Sequence, residues 1–123
     1  MEDKKVVFID NEDFYRKLYK RKLEEKGVRF LEADTGTKGW ELIKSENPDL
    51  VITEVTVQGK GGFKIAKEMN EDEDLVDTPV IILTSLSQES DKEDGRKLNV
   101  ADYFVKQEVN LSDVMEGIEK TLN

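Results

Sequence analysis

Four short stretches of the chain are apolar without interruption, and each stops at a polar residue. Val6-Val7-Phe8-Ile9 runs into Asp10, Leu50-Val51-Ile52 into Thr53-Glu54, Val80-Ile81-Ile82-Leu83 into Thr84-Ser85, and Tyr103-Phe104-Val105 into Lys106. Runs of this length predict strands buried on both faces, as in a parallel sheet. A fifth and weaker strand is expected over Val28 to Ala33, where Arg29 and Glu32 interrupt the pattern.

Between these runs the apolar period changes to that of a helix. Tyr15, Leu18, Tyr19 and Leu23 fall on one face, after a polar cluster (Asp10 to Asp13) that offers capping groups and before Gly27, which stops the helix. Asp34 or Thr35 can cap a second helix carrying Trp40, Leu42 and Ile43, ended by Pro48. Gly62, Ile65, Ala66 and Met69 keep helical spacing with Phe63 at the flank, and an acidic linker from Glu71 to Asp77 follows. The last helix has the clearest face, Leu111, Val114, Met115, Ile118 and Leu122, with Asn110 as its N-cap. From Ser87 to Lys97 there is no hydrophobic side chain, and Gly95 lies inside the run. A helix there has almost nothing to bury before Leu98, and helices are stabilised mainly by packing an apolar face. An exposed but ordered helix is expected, and a helix that frays or moves is the alternative.

Strands alternating with helices imply right-handed crossovers and an α/β fold, a doubly wound five-stranded parallel sheet covered on both faces. At 123 residues the chain is read as a single domain, 1–123, with no linker, repeat or low-complexity tract. The formal charge of −9, from 19 basic and 28 acidic residues, argues against nucleic acid and against an anionic membrane surface. The absence of Cys excludes disulfides and thiolate metal sites, and the absence of His removes the commonest general base. No apolar run approaches ~20 residues and no signal-peptide core follows the N-terminus, so neither a membrane span nor a leader is expected, and the cytoplasm is the expected location.

In a parallel sheet, ligands and chemistry collect at the carboxyl ends of the strands. Asp10, Asn11, Glu54, Thr84 and Lys106 all stand there. Two acids, an amide, a hydroxyl and an ammonium suit a cation and phosphoryl site: carboxylates for Mg²⁺, the hydroxyl and amine for phosphoryl oxygens. A single polar residue at a strand end is ordinarily only solvated, so it is the joint occurrence that carries weight.

With these residues placed, the chain resembles the receiver domains of two-component response regulators over about Lys5 to Leu122. The resemblance is carried by Phe8-Ile9-Asp10-Asn11, Pro48-Asp49-Leu50-Val51-Ile52-Thr53-Glu54, the loop Gly59 to Gly62, Pro79-Val80-Ile81-Ile82-Leu83-Thr84-Ser85 and Ala101-Asp102-Tyr103-Phe104-Val105-Lys106. It implies the flavodoxin-like strand order 2-1-3-4-5, phosphotransfer to an aspartate, and an output face around the fourth helix, fifth strand and fifth helix. It implies an acidic and metal pocket of Asp10, Asn11, Glu54 and Thr56, phosphoryl-contact positions at Thr84 and Lys106, and a switch aromatic at Tyr103. The implied partners are proteins: a sensor kinase, an output domain or another signalling protein, with a homodimer through the Ser87 to Leu122 face as one form.

The chain also departs from the family's pattern. Glu54 stands where receivers have the phosphoacceptor aspartate, and Asn11 at the second of the adjacent acids that hold Mg²⁺. Gln107 follows Lys106 where a proline is usual, and Gln58 replaces a proline common in the loop after the acceptor. The extra methylene of Glu54 misplaces the carboxylate, and ~1 Å of misplacement can cost ~100-fold in a positioned reaction. Asn at position 11 removes an anionic oxygen from a site for a hard cation. A pseudo-receiver is therefore expected, with phosphorylation lost or poor and Mg²⁺ weak. Either Glu54 imitates a phosphoaspartate by reaching Lys106 or Thr84, or the switch is disabled and the domain is a docking module. The second is favoured, since a glutamate here does not by itself dictate the active conformation. A working Mg²⁺-dependent phosphoacceptor is the alternative.

A reading from another class is weaker. Asp10-x-Glu12 after a strand loosely resembles the Asp-x-Asp nucleophile of haloacid-dehalogenase phosphatases, but no later acidic pair and no room for a cap are present. No enzymatic activity is expected. Gln58-Gly59-Lys60-Gly61-Gly62 lacks the spacing of a phosphate-cradling loop and is read as turn geometry. Trp40, Tyr15 and Tyr19 are read as core or flank, and Glu71 to Asp77 as a solvated loop.

Overall fold

The computed structural model describes all residues from 1 to 123. Strands β1 (Lys5–Ile9), β2 (Arg29–Ala33), β3 (Leu50–Thr53), β4 (Val80–Thr84) and β5 (Asp102–Val105) alternate with helices α1 (Asp13–Glu24), α2 (Gly36–Glu46), α3 (Gly62–Glu71), α4 (Glu89–Arg96) and α5 (Leu111–Leu122). All strand pairs are parallel and the order is β2-β1-β3-β4-β5. The doubly wound α/β architecture follows the alternation of the sequence pattern.

Side chains of a strand point alternately to the two sheet faces, and the core divides accordingly. Val6 and Phe8, Leu50 and Ile52, and Ile81 and Leu83 face Tyr19 and Leu23 of α1 and Val114, Ile118 and Leu122 of α5. Val7 and Ile9, Val51, and Val80 and Ile82 face Ile43 of α2 and Ile65, Ala66 and Met69 of α3. Most of these side chains are fully buried, each contributing about 1.5–3 kcal/mol of apolar transfer. The same alternation, carried past the strand ends, positions the site. Asp10 continues the Val6, Phe8 face and Glu54 the Leu50, Ile52 face. Lys106 continues the face of Phe104, which packs against the α1/α5 core. Register puts Ile9 beside Thr53, and Thr84 beside Val105, so these ends lie along one edge.

Several local expectations are refined. Helix α5 has its full capping box, Asn110 Oδ1 accepting from the Asp113 N–H at 2.9 Å and Asp113 Oδ2 from the Asn110 N–H at 3.1 Å. Thr35 caps α2 by accepting from the Lys38 N–H. The cluster before α1 gives no side-chain cap: Glu12 holds the N-cap position, and its N–H donates instead to Asp10 Oδ1 at 2.9 Å. On α2 the buried positions are Gly36, Gly39 and Ile43, because a Cβ at Gly39 would lie 2.3 Å from Ile9 Cδ1. The acidic stretch hides a core residue, Leu75, which is 3% exposed. The stretch without apolar side chains does form a helix, α4, and its buried residue is Gly95. That glycine lets α4 approach the Tyr103 ring closely; a Cβ there would lie 2.5 Å from two ring carbons.

Candidate functional site

Glu54 and Asp10 follow β3 and β1 directly and are 2% and 1% exposed. Between them lies the Lys106 ammonium, its Nζ 2.8 Å from Asp10 Oδ2 and 3.0 Å from Glu54 Oε2. The remaining carboxylate oxygens are engaged as well. Glu54 Oε1 accepts from the Val55 N–H at 2.8 Å and from the Thr84 hydroxyl, and Oε2 also accepts from the Ser85 N–H at 3.2 Å. Asp10 Oδ1 accepts from the Glu12 N–H. The Thr84 oxygen accepts in turn from the Leu86 N–H at 3.1 Å, which ties the β4–α4 loop into the same network.

Buried charge is costly unless paired and hydrogen-bonded, and here two hydrogen-bonded carboxylates share one ammonium. Burial pushes the Asp10 carboxyl up from the ordinary 3.8, against the opposite pull of Lys106 and of the Glu12 amide. Burial presses on the Lys106 ammonium in the other direction, but the contacts with Asp10 and Glu54 outweigh it and hold its pKa well above the ordinary 10.5.

Asn11 and Thr56 do not join this cluster. Both are exposed, and neither side chain forms a hydrogen bond. Two residues that sequence reasoning did not assign to the site take part in it. Glu12 Oε2 lies 3.1 Å from Lys106 Nζ, and the Tyr15 ring lies over the same atom at 3.9 Å from its centroid. Tyr15 was expected as core or flank from its helical spacing, which is the same for a residue that covers a site and one that fills a core. Gln107, in turn, donates from Nε2 to the Ser85 carbonyl at 3.0 Å, joining the loops after β5 and β4.

As folded, the acidic pocket is occupied by the Lys106 ammonium rather than open to a divalent cation. Mg²⁺ requires near-octahedral oxygen ligands, usually including one or two carboxylates. Both buried carboxylates are bound to backbone or hydroxyl donors as well, and the point on which Asp10, Glu12 and Glu54 converge is the Lys106 ammonium.

The glycine-bearing loop after β3 is a structural turn. Gly59 has φ +79°, the Gly36 N–H donates to the Gln58 carbonyl at 2.8 Å, and Lys60 stacks over Trp40 at 4.3 Å while pairing with Glu68. Tyr103 lies half-buried beside Phe63, ring centroids 6.5 Å apart, with its hydroxyl buried and without a partner. Burial pushes this phenol up, with Asp91, Glu54 and Asp94 acting in the same direction.

Residues 6–119 match the family model described as the response regulator receiver domain. The chain belongs to that family. It is 32% identical over 104 residues to the protein PilH of Pseudomonas aeruginosa, covering 83% of this chain and 84% of PilH. It is 30% identical over 106 residues to the phosphate regulon transcriptional regulatory protein PhoB of the same organism, covering 86% of this chain but 46% of PhoB. The receiver thus spans most of PilH and under half of PhoB. Among solved structures, the chemotaxis protein CheY4 of Vibrio cholerae superposes with a TM-score of 0.85 at 20% identity, covering 98% of this chain and 99% of that one. The BeF3-activated receiver domain of Klebsiella pneumoniae RstA does so with a TM-score of 0.86 at 21% identity, covering 97% and 98%. The flavodoxin-like order and the family expected from the sequence both hold, and the receiver is a module of two-component signalling. No helix is long and apolar enough to cross a membrane.

Proposed function

We propose that this receiver signals by protein–protein contact from one phosphorylation-independent state, in which the Glu54 carboxylate makes the contacts that a phosphoryl group would otherwise make. One observation carries the reading: Glu54 engages the Thr84 hydroxyl, the Ser85 N–H and the Lys106 ammonium at the same time. The longer side chain that misplaces a nucleophile also allows its carboxylate to span from Lys106 to Thr84. Of the two readings the sequence leaves open, this favours imitation of a phosphoaspartate over a merely disabled switch. A carboxylate has two oxygens and one charge, whereas a phosphate carries about −1.5 to −2 and three acceptor oxygens, so the imitation is partial.

On this reading Mg²⁺ has no part, and the domain acts in the cytoplasm without catalysing a reaction. Its partner surface is the Ser87 to Leu122 face, which suits a sensor kinase, an output domain, another signalling protein or a second copy. The net charge of −9 disfavours nucleic acid as a direct partner of this domain.

The test uses Glu54→Gln, which keeps the shape and removes the charge. Amide NMR should show shifts at Thr84, Ser85, Lys106 and along α4 and β5. Wild type treated with acetyl phosphate and Mg²⁺ should show no change in mass. A hydroxylamine-labile phosphoryl group on wild type would overturn the proposal.

A further inference from the structure

We infer that Glu12 and Tyr15 close the carboxylate pocket from the α1 side, keeping small phosphodonors and free divalent cations from Glu54 and Asp10 whatever acid stands at position 54. The inference rests on the reading above and adds a cause that lies outside the acceptor position.

Lys106 follows the last strand at the sheet edge, where side chains ordinarily reach solvent, yet its side chain is 2% exposed. Asp10 and Glu54 hold its ammonium from within. From without, Glu12 closes on it at 3.1 Å and the Tyr15 ring lies across it at 3.9 Å. A cation against an aromatic face, with a carboxylate beside it, is held by both quadrupole and charge.

The cover is itself held in place. The Glu12 N–H is fixed by Asp10 Oδ1, so a buried acid of the pocket positions the residue that covers it. One turn further, Arg16 donates to the Asp10 carbonyl at 2.6 Å and to Glu32 Oε1 at 3.1 Å, fastening the first turn of α1 to the ends of β1 and β2. Phe14 meets the Tyr15 ring edge-on at 5.2 Å. Glu12 and Tyr15 are positioning residues: they touch Lys106, and through it they keep both carboxylates occupied.

The experiment reads Lys106 directly. Full-length protein is labelled with a limiting amount of acetic anhydride, and modification at Lys106 is measured by mass spectrometry relative to exposed Lys67. In the variant Glu12→Gln, Tyr15→Leu, which keeps apolar bulk at position 15, Lys106 labelling should rise about tenfold, the order a desolvated cation–π contact corresponds to. Labelling unchanged within about twofold, in a variant whose amide spectrum shows it folded, overturns the inference.

A second arm separates this from the reading on which it rests. With Mg²⁺ and beryllofluoride, Glu54→Asp, Asn11→Asp should stay silent by amide NMR, and adding Glu12→Gln, Tyr15→Leu should restore a response. If the two aspartates alone respond as fully as the fourfold variant, the closure is refuted while the proposed function stands. If wild type itself responds, with Glu12 and Tyr15 in place, the closure and the proposed function fall together.

Discussion

Replacing Gly95 by alanine sets two well-defined effects against each other. In an exposed helix interior the change should stabilise by about 0.8–1 kcal/mol, because glycine is the poorer helix former by that amount. α4 is such a helix by sequence, with four acids, three bases and no apolar side chain between Glu89 and Lys97. The new Cβ, however, would lie 2.5 Å from Cδ2 and Cε2 of Tyr103, well inside a carbon–carbon contact of about 3.5–4.0 Å. The atoms met belong to a ring stacked beside Phe63, not to the free end of a flexible chain, so the contact is not cheaply relieved. Overpacking of this kind costs about 1–3 kcal/mol, so the expected net effect is a loss of about 0–2 kcal/mol. Urea denaturation followed by circular dichroism measures it, and a cycle with Tyr103→Ala isolates the contact. In the Tyr103→Ala background the same substitution should stabilise by about 1 kcal/mol, giving a coupling of about 1–3 kcal/mol. If Gly95→Ala stabilises both backgrounds equally, α4 does not rest on Tyr103 and the packing argument fails.

Lys106→Met should destabilise the domain by about 3–5 kcal/mol, since it leaves two buried carboxylates without their shared cation. Adding Glu54→Gln and Asp10→Asn should recover much of that in the same urea titration; failure to recover it would show that the ammonium acts through packing alone. The pH dependence follows from the raised pKa of Lys106. The contribution of a cation whose folded pKa exceeds its unfolded value is complete below the ordinary lysine value of 10.5 and is lost as pH rises through the folded value. The stability difference between wild type and Lys106→Met should therefore be flat from neutrality to about pH 10 and shrink above it, and a difference that shrinks between pH 6 and 8 would contradict this assignment.

The sheet was legible because four of its strands announce themselves twice, as unbroken apolar runs and as runs ending at polar residues. Alternation within β1 and β3 then carries Asp10 and Glu54 to the α1/α5 face without further information. Other features leave weaker traces. Leu75 stands beside Val76 in an acidic stretch, and the pair forms no period that says which of the two is buried. Gly39 and Gly95 are buried because they lack a side chain, which no hydrophobicity pattern registers. Tyr15 and Glu12 meet Lys106, a residue more than ninety positions away, and nothing local distinguishes them from a flank aromatic and a capping acid. Asn11 is the converse case: adjacency to Asp10 along the chain suggested a shared pocket, and in the fold its side chain lies exposed without a hydrogen bond.

The tethering of Lys106 between Asp10 and Glu54 also bears on timing. An acyl phosphate hydrolyses, so a domain switched by one carries its own clock. Carboxylates joined to the chain by carbon–carbon bonds do not decay, and an ammonium on the same chain cannot diffuse away. On the proposed reading the domain has no intrinsic off-step, and its output rises and falls with its own synthesis, degradation and partner dissociation. A cell using it would tune dose rather than duration.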